Sequence, residues 1–184
     1  RPPHACGVDA GGSLRVRAGS TGRGGRVDSP PPLGTGQFTL AVFIYLESQS
    51  PGGTVATNIQ RAEGNFELAL DDKGCLQATI RDRTGRLRSV ASSAFLPLRT
   101  WRLLVMTVDS GHLRIYQDGQ LIASVPCAMM ANSASETVWF GTSAAGTGLW
   151  DGRIDELAIF DKALGDNEIA GLHQAALAVM ARPR

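Results

Sequence analysis

With 184 residues the chain has the length for one domain with a two-layer core. Hydrophobic residues make up 43% of it and charged residues 19%, a balance that excludes a disordered or collagen-like chain. Lys plus Arg total 18 against 17 for Asp plus Glu, so no strong field is available to hold a nucleic-acid backbone, and nucleic acid is not an expected partner.

No apolar run approaches the roughly 20 residues that cross a bilayer, so no membrane insertion of this segment is expected. The chain opens on Arg1 without an initiator Met, and residues 1–184 are expected to form one domain, a C-terminal fragment of a longer protein.

In chain order, Pro2-Pro3, Gly19 to Gly25 and Pro30-Pro31-Pro32 predict one or two strands joined by loops over the first 35 residues, one of them at Ser13 to Arg17. Alternating apolar segments then recur at Phe38 to Ser48, Thr54 to Gln60, Asn65 to Asp71, Cys75 to Arg83, Leu87 to Ala94, Trp101 to Asp109, Leu113 to Gln117, Gln120 to Pro126, Thr137 to Thr142 and Gly152 to Asp161. Many short strands separated by Gly, Asp, Pro and Ser predict an all-β sandwich or barrel. Asp71-Asp72-Lys73-Gly74 and Asp118-Gly119 supply residues that accept positive φ and predict two tight hairpins.

In Phe38 to Leu46 the period of two puts Phe38, Leu40, Val42, Ile44 and Leu46 on one core-facing side, with Phe43 and Tyr45 on the other. Trp101 to Val108 is apolar on both faces, which predicts a central strand whose outer face is covered. Near the end, Ile169, Leu172, Ala176 and Val179 form one stripe of a helix over Asp166 to Met180, with Gly165 and Glu168 as its capping signal.

Four separated motifs carry a family resemblance. These are Leu33-Gly-Thr-Gly-Gln-Phe-Thr-Leu40 with Phe43; Leu98-Arg-Thr-Trp101; Leu113-Arg-Ile-Tyr-Gln-Asp-Gly-Gln-Leu121; and Gly152-Arg-Ile-Asp-Glu-Leu-Ala-Ile-Phe160 with Ala163-Leu164 and Glu168-Ile169. Together they resemble the laminin G-like domains of the concanavalin A-like lectin and glucanase superfamily, over roughly residues 13 to 173. The resemblance implies an antiparallel two-sheet jelly-roll β-sandwich with one short C-terminal helix. Phe43 stands where relatives often carry Trp, which makes it structural. Val16-Arg17-Ala18-Gly19 and Gly25-Arg26 replace the family's early acids, and Leu103 replaces a His after the Trp. No cofactor is therefore expected, and calcium has little to bind it.

Glucanases on this jelly roll use paired carboxylates about 5 Å apart. Here Glu63, Glu67, Glu136 and Glu168 stand apart from matching acids. Asp155 and Glu156 are adjacent and face opposite sides of a strand, where a turn-fixing hydrogen bond is favoured over metal ligation. No catalytic residue and no metal ligand is assigned. His4, His112 and His173 stand near no nucleophile motif, and Gly19 to Gly25 leads into Val27-Asp28-Ser29-Pro30 with no helix for a phosphate loop to feed.

Four residues remain as ligand-binding candidates. Trp139 and Tyr45 lie opposite the core stripes and would form an aromatic platform if their strands share a sheet. Trp150 and Asp151 could hold a sugar face and its hydroxyls, although a Trp closing the core end is the favoured reading. Arg81, Arg83, Arg86 and Arg88 surround one turn, as a solvated ribbon or a patch for an acidic partner. Cys6, Cys75 and Cys127 admit one disulfide, with buried free thiols preferred. The resemblance implies a noncatalytic recognition or adhesion module on a secreted or envelope-associated bacterial protein, with a glycan or a protein as ligand. A structural or protein-contact spacer is the alternative, and a glycoside hydrolase comes third.

Overall fold

The computed structural model describes residues 14–16, 24–28, 30, 36–60, 63–132 and 137–180. Among these, twelve strands and one helix follow in the order β1 (Leu14–Val16), β2 (Gly25–Val27), β3 (Phe38–Leu46), β4 (Thr54–Thr57), β5 (Phe66–Leu70), β6 (Cys75–Arg81), β7 (Leu87–Phe95), β8 (Trp101–Val108), β9 (His112–Gln117), β10 (Gln120–Pro126), β11 (Val138–Phe140), β12 (Gly152–Phe160) and α1 (Asp166–Met180). The first sheet runs β1-β12-β3-β8-β9-β10 and the second β2-β11-β4-β5-β6-β7. Neighbouring strands pair antiparallel throughout, as the all-β sandwich with a C-terminal helix requires.

The predicted stripe of β3 is the centre of the molecule. Phe38, Leu40, Val42, Ile44 and Leu46 are fully buried and join Leu104, Met106 and Val108 of β8 and Phe66, Leu68 and Leu70 of β5 in one core between the sheets. Residues paired directly across an antiparallel ladder share a face, so the register Phe38↔Val108 and Val42↔Leu104 continues the stripe from strand to strand.

The other face of β3 and β8 is also buried, under α1. Ala41, Phe43, Leu103, Val105 and Tyr116 meet Leu164 and Ile169, with Leu172 and Ala176 packed alongside. This second apolar layer explains why both strands read as apolar on two faces. Thr39 anchors the chain entering the helix: its Oγ1 donates to the Lys162 carbonyl at 2.8 Å and accepts from the Leu164 N–H at 2.9 Å. The Gly165 N–H donates to Glu168 Oε2 at 2.9 Å, which is the anticipated cap.

The opening residues hold two short strands, β1 and β2, within the one or two expected. Two details depart from the sequence expectations. The fourth strand stops at Thr57 because the Asn58 side chain takes over the ladder, its Oδ1 accepting from the N–H groups of Asn65 and Phe66, both at 2.9 Å. Simple alternation at Asp155-Glu156 is broken by a bulge between Asp155 and Ala158, with Glu156 at φ 46°. Val179 belongs to α1, but its side chain lies outside the described residues, as do Cys6 and most of Gly19 to Gly25.

Candidate recognition surfaces

The four candidate residues are not brought together. Tyr45 stands on β3 in the first sheet and Trp139 on β11 in the second, each pointing away from the core, so they occupy opposite outer faces of the sandwich. The single aromatic platform is thereby corrected: period-two alternation places a side chain inside or outside but says nothing about which sheet its strand joins.

Around Trp139 the second sheet forms one cross-strand row. The registers Trp139↔Arg26, Trp139↔Thr57, Thr57↔Glu67, Glu67↔Thr79 and Thr79↔Ser89 carry it over all six strands. The core-facing neighbours Val138, Phe66, Leu68, Ala78 and Ile80 are buried, which assigns the row to the outer face. The Arg26 guanidinium lies 5.5 Å over the Trp139 ring and is held by Asp28 at 3.3 Å. Thr79 and Ser89 share a hydroxyl hydrogen bond of 2.8 Å. Burial pushes the Glu67 carboxyl above its ordinary range, with the Thr57 hydroxyl opposing. In the adjacent rank, Ala69, Gln77 and Ala91 are short or polar, so no large side chain walls the row off on that side.

Around Tyr45 a second row crosses the first sheet, through Arg153↔Tyr45 and Tyr45↔Trp101. The Tyr45 and Trp101 rings are 5.6 Å apart, tilted by 55°, and the Arg153 guanidinium sits 5.3 Å over Tyr45. All three side chains are half-buried, and Trp101 also packs against the layer under α1.

Trp150 is fully buried and part of the main core, so it has no face for a ligand; the core-closing reading is the one the structure supports. Its backbone N–H donates to the Gly141 carbonyl at 3.0 Å, which ties the loop after β11 to the start of β12. Asp151 is half-buried and accepts a hydrogen bond from the Ser48 hydroxyl. It stands two residues before Arg153, apart from Trp139 in the other sheet.

The arginine-rich turn joins β6 to β7. Asp82, 2% exposed, organises it by accepting from the Thr84 N–H at 2.9 Å, the Thr84 hydroxyl at 2.5 Å and the Arg86 N–H at 3.1 Å, with Arg88 at 3.6 Å. Arg81 turns inward to the Gly64 carbonyl at 3.0 Å. Only part of the basic cluster therefore projects outward.

Retaining glycoside hydrolysis needs two facing carboxylates. The Trp139 row holds one, Glu67. Asp155 Oδ1 accepts the Glu156 N–H at 2.9 Å, the hydrogen-bond use favoured from sequence. No group of three or more His, Cys, Asp or Glu side chains among the described residues is arranged around a metal position. Cys75 and Cys127 are free and half-buried, and burial pushes the Cys127 thiol up.

Sequence reasoning passed over Arg26, Glu67 and Arg153 as site residues. Each is an ordinary polar position in an alternating strand until strand pairing sets it beside an aromatic ring.

No curated protein matches this chain. Among solved structures it is similar to the binding domain of botulinum neurotoxin serotype G, with a TM-score of 0.68 and 14% identity over 94% of this chain and 45% of that one. The binding domain of Paraclostridial Mosquitocidal Protein 1 gives a TM-score of 0.61 at 17% identity, over 90% and 46%. A structure of botulinum neurotoxin type C, whose cell entry depends upon interaction with two ganglioside molecules, gives 0.58 at 18%, over 76% and 35%. The chain spans less than half the length of each of these structures, and the likeness is one of fold. The laminin G type family (Laminin_G_3) matches residues 19–170, the span that holds both sheets from β2 onward and the start of α1, and the chain thus belongs to the concanavalin A-like lectin/glucanases superfamily.

Proposed function

We propose that this domain is a noncatalytic recognition module that holds a glycan along the outer face of the second sheet. The observation that carries the reading is the row from Arg26 through Trp139, Thr57, Glu67 and Thr79 to Ser89. It offers a ring for the apolar face of a sugar at one end, with the Glu67 carboxylate and the Ser89 hydroxyl further along for sugar hydroxyls. Thr57 is fully buried, its hydroxyl donating to the Phe66 carbonyl and accepting from the Ile59 N–H, so it supports the row from beneath. Five interstrand steps of about 4.8 Å give a track of roughly 24 Å, enough for a short oligosaccharide. The single carboxylate suits binding more than hydrolysis. Membership of a lectin-containing superfamily and likeness in fold to toxin binding domains support the same reading. Carriage by a secreted or envelope-associated bacterial protein is part of this proposal.

A glycan array on the purified domain, with and without calcium, is the test. Binding is expected to weaken in Trp139→Ala by at least about tenfold, equivalent to roughly 1.4 kcal/mol. A blank array with folded protein, or binding indifferent to Trp139→Ala, would remove the glycan site from this face. The second reading, a protein-contact domain, is favoured by exposed Leu121 and Leu177, which flank the place where Gly119 of the β9–β10 turn meets Ala170 and His173 of α1.

A further inference from the structure

Arg153 stands out because its surroundings hold the guanidinium in place without neutralising it. The ring of Tyr45 lies under it at 5.3 Å, and Tyr45 is braced by Trp101 at 5.6 Å. Its Nε is closed off from solvent and has no hydrogen-bond partner, so part of the cation is already desolvated. No carboxylate among the described residues pairs with it. Of its nitrogens Nε alone is buried without a partner, which leaves Nη1 and Nη2 as the groups that meet solvent. The two acids nearest along β12 are turned to other partners: Asp151 accepts from the Ser48 hydroxyl and Asp155 from the Glu156 N–H.

Two other arginines of the first sheet, on β8 and β9, have carboxylate partners. Arg102 donates through Nη1 to Asp118 at 2.7 Å, and Arg114 is bonded to Asp109. A half-buried cation without an anion is costly to maintain, and a guanidinium pinned on a ring has lost most of the rotamer freedom that a ligand would otherwise have to remove. Two parallel Nη–H groups match the two oxygens of a carboxylate, while the Tyr45 and Trp101 rings supply apolar area beside them.

We infer that the Arg153–Tyr45–Trp101 row of the first sheet is a second binding site, built for a pyranose that bears a carboxylate. The carboxylate accepts hydrogen bonds from Nη1 and Nη2 of Arg153 end-on, and the sugar ring lies against the two aromatic side chains. The site is on the opposite outer face from the Trp139 row and does not depend on a ligand there.

The test is a titration of the intact domain with D-glucuronate, D-glucose and acetate at matched ionic strength, followed by the Trp101 indole resonance in NMR spectra. Saturable binding of glucuronate is expected, with glucose and acetate each weaker by at least tenfold. Arg153→Gln and Arg153→Lys are both expected to lose glucuronate binding tenfold or more, the Lys variant because it keeps the charge and loses the two-pronged geometry. Should the Gln variant fail to fold, the Lys variant reads the same prediction. Trp139→Ala is expected to leave this titration unchanged, which separates the two sites whichever of them fails. Equal binding of glucose and glucuronate, full binding by Arg153→Lys, or no binding to the folded parent domain would each overturn the assignment.

Discussion

Trp150 and Gly152 are spaced so that one fills the sandwich end and the other lets β3 approach. Trp150 is fully buried, and truncation to Ala is expected to cost about 3–5 kcal/mol, as for a large aromatic side chain removed from a core. Denaturant unfolding monitored by circular dichroism checks it, and the same variant is expected to fail as a probe of ligand binding because it disturbs the whole end. A Cβ on Gly152 would lie 1.9 Å from the Tyr45 carbonyl oxygen, so Gly152→Ala must displace β12 from β3. Its unfolding midpoint is expected to drop well below that of an exposed Gly171→Ala control, where nothing stands within 4 Å. Asp82 is the corresponding polar residue. The Thr84 hydroxyl and the N–H groups of Thr84 and Arg86 all donate to its Oδ1 and hold its carboxyl below the usual range; Asn would keep that acceptor and lose the charge that faces Arg88.

At the scale of elements, α1 is attached through one apolar stripe and a partly buried hydrogen bond at its first turn. Ile169 is fully buried, and Tyr116, reaching up from β9, donates its hydroxyl to Asp166 Oδ1 at 2.7 Å. Burial, and then the Asp166 carboxylate, push the Tyr116 phenol up to about 12, so it keeps its proton throughout the neutral range. Tyr116→Phe is expected to lose about 1–3 kcal/mol, since it leaves the Asp166 carboxylate without its donor at the first turn of the helix. Hydrogen exchange should then show the α1 amides opening before those of β3 and β8; an unchanged exchange pattern would mean that the apolar stripe alone holds the helix. The helix was legible in the sequence because its period, cap and length agreed. The strands were legible for the same reason, and the hairpins at Gly74 and Gly119 fell where positive φ was needed, 87° and 82° respectively.

For the whole molecule, the titrating carboxylates give stability a definite slope at low pH. Asp82 and Glu168 are held below their ordinary values by hydrogen bonds, from Thr84 and Lys162 foremost. Burial pushes Asp109 up, but hydrogen bonds from Arg114, Gly111 and His112 outweigh it and the net displacement is downward. A native value below the unfolded one contributes stability that is present above about pH 4 and is lost as the pH falls through the native value. Glu67 has the opposite sign: raised by burial, it penalises the fold while ionised and stops doing so once protonated. With three lowered groups against one raised, urea midpoints are expected to fall on acidification below about pH 4. Glu67→Gln should raise the midpoint near neutrality; a lowered midpoint there would mean that the carboxylate has a stabilising partner in its charged form.

Which residues lie inside, where the chain turns, and that a helix closes it are all local properties, since a period of two or 3.6 and a glycine at a turn act within a few residues of themselves. Those were readable from the sequence, as was the superfamily, whose motifs keep the same local devices in order. The site was not readable in the same way. Tyr45 and Trp139 each gave the correct face, yet their strands entered different sheets, and Trp150 turned out to be core. Glu67 beside Trp139 through Thr57, and Arg153 over Tyr45, are partnerships between residues far apart along the chain. They exist because burying the stripe of β3 against β5 and β8 leaves each sheet one strand order, and that order chooses which polar side chain stands next to which ring.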